Sequence, residues 1–317
     1  MSANRATGVT RDEPVTARTR ALPTAFIVGP ARSGTSLLYK TLCLHPDVAY
    51  ISNWVVRTGW PWLAALDRIP RSLPAQATRL WFGEDSNAYR YGRRRPMLER
   101  VFPTPVEGEP VYNRAGIERP GGPAPARRDP AAALRRSFDA IRSLDGGSCL
   151  VSKRIANNLR IPLLADVFPD ARFVALVRDG RAVAASLSRV DWWDDSFVWW
   201  YGGSPRRWRD EGGDPWEICA RNWVEELAQI EDALSSLGSD RVLRLRYEDL
   251  VADPIPTLVG VAAFLGVAGD DRRWRSSLAT LRFSDRSEGW RVRLDAPTIE
   301  RITRIQRADL ERHGYPL

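Results

Sequence analysis

The chain is 317 residues long, 44% hydrophobic, and carries a formal charge of +8. That length and apolar content suit one large α/β domain or two small ones, with a sizeable core. The sequence has no window of about 20 apolar residues, which excludes a membrane-spanning helix, and its three cysteines and two histidines form no ligand cluster, leaving little scope for a metal site or a histidine triad. In chain order, residues 1–22 are rich in Arg and Thr and lack an apolar segment, so they are expected to be a disordered lead-in to a cytoplasmic protein. A single domain over 23–317 follows. Ala25–Val28 is a short apolar strand stopped by Gly29-Pro30, and 36–44 reads as a helix ended at His45-Pro46. Residues 48–51 fit a second strand, and 53–80 are helical in patches.

Residues 83–130 differ in kind, with Arg93-Arg94-Arg95 and Gly121-Gly122-Pro123-Ala124-Pro125, and they read as a lid-like surface insertion with little regular structure. Arg90–Arg95 is interleaved with Tyr89 and Tyr91 but has no nucleic-acid fold signature, so no nucleic-acid partner is expected. Helical spacing returns at 131–144. Strands at 149–152, 172–177 and 242–246 then alternate with helices at 161–168, 180–189 and 254–265. Such alternation predicts an α/β fold: a P-loop-like central parallel sheet flanked by helices.

The loop Gly29-Pro30-Ala31-Arg32-Ser33-Gly34-Thr35-Ser36 nearly matches the phosphate loop G-x4-G-K-[ST]. Small residues let backbone amides face an anion, and the next helix presents its positive end. Thr35 stands where a nucleoside triphosphatase places lysine, so a P-loop kinase or NTPase is disfavoured. The cation here is Arg32, inside the loop, where it can stabilise charge on an oxygen whose bond to sulfur is breaking. Only two lysines, Lys40 and Lys153, remain among 47 basic residues. Lys153 follows a strand, at the sheet edge where ligands bind.

Arg32-Ser33-Gly34-Thr35-Ser36 resembles the 5′-phosphosulfate loop of sulfotransferases that use 3′-phosphoadenosine-5′-phosphosulfate (PAPS), in its arginine form. The resemblance extends in order through Leu44-His45-Pro46-Asp47-Val48, Phe168–Phe173, Arg178–Val183, Arg246–Leu250 and Phe264-Leu265-Gly266. It implies that Ser33, Gly34, Thr35 and Ser36 hold the 5′-phosphate, and that Arg178 and Ser186 hold the 3′-phosphate. Lys153 resembles the active-site lysine of many members, and Arg286 lies in a segment similar to one that closes over the 3′-phosphate. For Tyr247 two readings stand: adenine contact, or a tyrosine packed at a strand end.

The implied reaction is sulfuryl transfer from PAPS, without metal, to a hydroxyl or amine of a small molecule, sugar or lipid. It needs a base. The family's histidine position is Ile155 here, and its glutamate segment reads Tyr50-Ile51-Ser52-Asn53-Trp54, without an acid. Candidate carboxylates are Glu84, placed first, then Asp85 and Asp191; His45 is expected to cap its helix. The missing base leaves a second reading, a homologue that binds the bisphosphate without turnover. The aromatic run at 192–201 fits either an acceptor wall or core packing.

Overall fold

The computed structural model describes residues 23–83, 100–117 and 129–317; Glu84, Asp85 and both Arg- and Gly/Pro-rich runs of the insertion lie outside them. Five parallel strands form one sheet in the order β2-β3-β1-β4-β5. They are β1 Ala25–Val28, β2 Val48–Ala49, β3 Cys149–Lys153, β4 Arg172–Val177 and β5 Val242–Arg246. The expected P-loop-like α/β architecture is therefore present. β1 runs between β3 and β4, with Ile27 level with Lys153 and Val28 level with Ala175.

Alternation along β1 divides the core. Ala25 and Ile27 face a cluster built with α1 (Thr35–Cys43) and, later in the chain, the helix Pro254–Leu265. Phe26 and Val28 face the other side, where Phe26 stacks on Phe173 at 5.5 Å and meets Phe138 at 6.2 Å. The central strands are apolar at nearly every position because both faces are covered.

One reading of the sequence fails over 100–117. This part of the insertion carries α2, Glu109–Ala115, whose Val111 and Tyr112 are buried in the second cluster. Ser52 and Pro105 form an antiparallel bridge, so the chain here runs along the sheet's edge region and not out over the surface. The long helix α3, Pro130–Asp145, starts at an Asp129 cap that accepts the Ala132 amide. α4 (Ile161–Val167) and α5 (Gly180–Leu187) follow β3 and β4. α6 (Pro215–Ser235) and the C-terminal α8 (Ala296–Arg312) pack against α5, with α7 (Pro254–Leu265) between them in sequence. Gly180 permits that approach: a β-carbon there would lie 2.5 Å from Gln306 Oε1 and 2.7 Å from the Trp223 ring.

Asp67, fully buried, sits near Asp145, itself ion-paired with Arg71. Burial first, and then the Asp145 charge, push the Asp67 carboxyl up to about 9. The unfolded chain ionises this group near pH ~4. The folded form holds the extra proton, so its contribution to stability is lost as pH rises through that window. Asp67→Asn is expected to raise the melting temperature at pH 8 by a few degrees and to gain less at pH 4; calorimetry at both values checks this.

Candidate active site

Strands β3, β1, β4 and β5 lie side by side, and each delivers one part of the site at its carboxyl end. β1 runs into the loop 29–36, β3 ends on Lys153, β4 is followed by Arg178, and β5 by Tyr247. This edge is where open α/β sheets bind ligands. A cavity of about 1200 Å³ opens there, lined by Arg32, Ser36, Lys153, Arg178, Ser186 and Tyr247. Gly34, Thr35 and Arg286 line it too, while Ser33 is wholly buried beside it.

The loop is held from several directions. Arg32 has a φ of 72°, a left-handed backbone that costs an L-residue about 1 kcal/mol. Its Nε donates to Ser186 Oγ at 3.1 Å, and its carbonyl accepts from Arg178 Nη1 at 3.3 Å. Arg178 Nη2 donates to the Arg286 carbonyl at 2.8 Å, and the guanidinium lies 4.3 Å over the Tyr247 ring. Asp179 does not pair with Arg178; its carboxylate takes Arg181 Nε at 3.0 Å and Nη2 at 2.7 Å. Arg178 Nε is buried with no hydrogen-bond partner among the described residues, and burial pushes the pKa of the guanidinium down. A desolvated cation lining a cavity fits an anionic ligand. Tyr247 has a second contact, because a β-carbon on Gly34 (φ 92°) would fall 2.4 Å from its ring. Tyr247 thus lines the cavity and also packs against the loop.

Two carboxylates that the sequence reading missed stand behind this frame. Glu107 Oε1 accepts from Lys153 Nζ at 2.5 Å, and its Oε2 accepts from Arg154 Nη1 at 2.6 Å. Burial raises the Glu107 pKa, but the two cations outweigh it and hold the carboxyl at about 2. Lys153 Nζ also donates to Ser36 Oγ at 3.2 Å, so it bridges the loop and the glutamate. Glu107 is carried there by pairing with the segment after β2. The Val106 amide donates to the Ile51 carbonyl at 3.0 Å, and Asn53 brackets residues 102–104 through Oδ1 (3.0 Å to Thr104 N) and Nδ2 (3.1 Å to Phe102 O). The available hint was the apolar Val101-Phe102 inside a polar stretch.

Glu226, on α6, is the second. Its Oε2 accepts the Ala31 amide at 2.9 Å and its Oε1 accepts Asn222 Nδ2 at 3.1 Å. Asn222 Oδ1 in turn accepts Trp200 Nε1 at 3.2 Å. Burial pushes the Glu226 carboxyl up to about 7, against the bonds that favour its charge.

The aromatic run divides. Trp192, Phe197 and Trp199 line the cavity, whereas Trp200, Tyr201 and Trp208 pack on one another. Asp191 is exposed and does not line the cavity, so it is not brought to the site; Glu84 lies outside the described residues. His45 is buried, with Nε2 2.8 Å from the Ala268 carbonyl and Nδ1 accepting the Asp47 amide at 3.0 Å. These bonds fix its ring after α1, and it too is absent from the cavity wall.

Residues 23–271 match the sequence profile of the sulfotransferase family. Among curated proteins, the chain is 24% identical over 256 residues to a protein-tyrosine sulfotransferase of Drosophila melanogaster, covering 80% of this chain and 40% of that one. It is 23% identical over 270 residues to an omega-hydroxy-beta-dihydromenaquinone-9 sulfotransferase of Mycobacterium bovis, covering 77% and 63%. The chain thus spans about two fifths to three fifths of these relatives' own length. Among solved structures, a sulfotransferase from Mycobacterium avium aligns with a TM-score of 0.55 at 18% identity, over 94% of this chain and 78% of that one. A sulfotransferase domain from the curacin biosynthetic pathway aligns at 0.52 and 16%, over 94% and 100%.

The Gly34–Tyr247 contact gives a direct check. Gly34→Ala is expected to destabilise by roughly 2–3 kcal/mol, from overpacking and the left-handed backbone together. In a Tyr247→Ala background the same change should cost only about 1 kcal/mol, the backbone part, as read by urea denaturation of all four proteins.

Proposed function

The chain belongs to the sulfotransferase family, and on that premise we propose that it transfers the sulfuryl group of PAPS to a hydroxyl, or an amine, of a small-molecule, carbohydrate or lipid acceptor. The observation that carries this reading is the hydrogen-bonded set of Arg32, Ser186 and Arg178, two of them cations, on the wall of one cavity. In this reading Ser33, Gly34, Thr35 and Ser36 hold the 5′-phosphate, aided by the N-terminal end of α1. Arg178 and Ser186 hold the 3′-phosphate, under the chain around Arg286. Arg32 and Lys153 stabilise charge growing on the leaving phosphate and on the sulfuryl oxygens. Tyr247 borders the adenine.

A cavity of about 1200 Å³ is large for one ligand, since single small-molecule pockets run about 300–1000 Å³. That supports room for donor and acceptor together. Trp192, Phe197 and Trp199 are then the acceptor wall, and they suit a ring or an apolar chain beside the reacting hydroxyl.

Two measurements test the assignments. Arg178→Ala should weaken PAPS binding by roughly 30- to 100-fold, the worth of a charged hydrogen bond pair. The same variant should change binding of adenosine 5′-phosphosulfate, which lacks the 3′-phosphate, by less than about threefold; equal losses would remove Arg178 from that role. Arg32→Ala should lower the turnover number by about 100-fold or more, so a variant with altered KM alone would count against its charge-stabilising part.

A further inference from the structure

Resting on the sulfuryl-transfer reading, we propose that Glu107 takes the acceptor's proton, and that the donor makes it able to do so by drawing Lys153 away from its Oε1. The starting point is one ammonium shared by two partners. Lys153 Nζ touches Ser36 Oγ of the phosphate loop on one side and Glu107 Oε1 on the other. A carboxylate oxygen therefore stands just beyond the group that meets the donor, and Glu107 lines the same cavity.

Both oxygens of Glu107 are capped, Oε1 by Lys153 and Oε2 by Arg154. A carboxylate held by two cations is a poor base, which agrees with its depressed pKa. Donor oxygens arriving at the loop compete for the ammonium, and a lysine's rotatable, flexible stem lets it follow them. The Arg154 contact does not depend on that move. Arg154 is braced through Nε on Glu109 Oε2 at 2.8 Å, and Glu109 Oε1 is fixed by Arg160 at 3.1 Å. Oε2 thus stays pinned while Oε1 is uncovered, and the carboxylate keeps its direction as its basicity recovers.

Glu226 is unsuited to the same task. Its two oxygens are committed to Ala31 N and to Asn222 Nδ2, and freeing either would loosen the loop or the Asn222–Trp200 contact. In the transfer, the acceptor oxygen forms the new bond to sulfur and the bond from sulfur to the bridging oxygen breaks. The electron pair leaves on the 5′-phosphate, and the hydroxyl proton passes to Glu107 Oε1, from which water later removes it.

The chain's two lysines make the hand-over visible. In protein labelled with 13C at lysine Cε, two signals are expected, and Lys40→Arg identifies which belongs to Lys153. Saturation with adenosine 3′,5′-bisphosphate should shift the Lys153 signal in the unaltered protein and shift it less in Glu107→Gln. With labelled PAPS and water as acceptor, Glu107→Gln should release sulfate about 100-fold more slowly, the usual worth of a general base. Its affinity for the bisphosphate should not fall, and should rise because Lys153 no longer has to leave a carboxylate, and Glu107→Asp should recover part of the rate. An unmoved Lys153 signal in bisphosphate-saturated protein, or equal sulfate release by Glu107→Gln, overturns the proposal while leaving the donor site standing. Failure of the unaltered protein to bind the bisphosphate would overturn the donor reading itself, and this proposal with it.

Discussion

A buried guanidinium cannot be left with nothing to bond, and Arg178 shows how much structure that requirement organises. Two of its nitrogens are satisfied by carbonyls from distant places in the chain, those of Arg32 and Arg286, and its face by the Tyr247 ring. Three separate segments are thereby drawn to the end of β4. The third nitrogen, Nε, has no hydrogen-bond partner among the described residues. Removing a charge from water is costly unless bonds replace the lost solvent, so this nitrogen carries an uncompensated cost within the fold. The parallel register supplies the geometry, because β3, β1, β4 and β5 end next to one another.

How far the site could be read in the sequence follows from the range of the contacts involved. The strand Ala25–Val28, its glycine stop and the helix beyond form a local pattern, and the same holds for β4 with Arg178 and β5 with Tyr247. Apolar runs broken by Gly, Pro or a charge are legible because each depends on neighbours a few residues away. Lys153 stood out by the rarity of its type. Glu107 and Glu226 did not, since each acquires its place through pairing across long separations: Glu226 meets Ala31 from 195 positions away, and Lys153 meets Glu107 from 46. In a polar, proline-rich stretch, one glutamate looks like any solvated charge. The Ser52–Pro105 bridge, the Val106–Ile51 bond and the Asn53 bracket distinguish it.

That bracket has a further meaning if Glu107 is the base. The segment at residues 50–54 contributes the amide side chain of Asn53, which grips residues 102–104. The acid follows closely on the gripped residues. Asn53 is then its mount. The packed aromatics Trp200, Tyr201 and Trp208 are tied to the loop through Trp200, Asn222, Glu226 and the Ala31 amide. Trp200 and the loop thus share a short chain of hydrogen bonds, in which buried polar groups reinforce one another.

Arg32 remains the residue with the most to reconcile. Its left-handed backbone is one that glycine adopts freely, so a glycine there would relieve the loop and remove the cation at one stroke. With the charge-stabilising part proposed for Arg32, stability and activity would move in opposite directions from that single change. Selection for thermal robustness alone would drift toward the glycine. On the proposed reading, residue 32 is a marker separating chains kept for turnover from chains kept only for their fold.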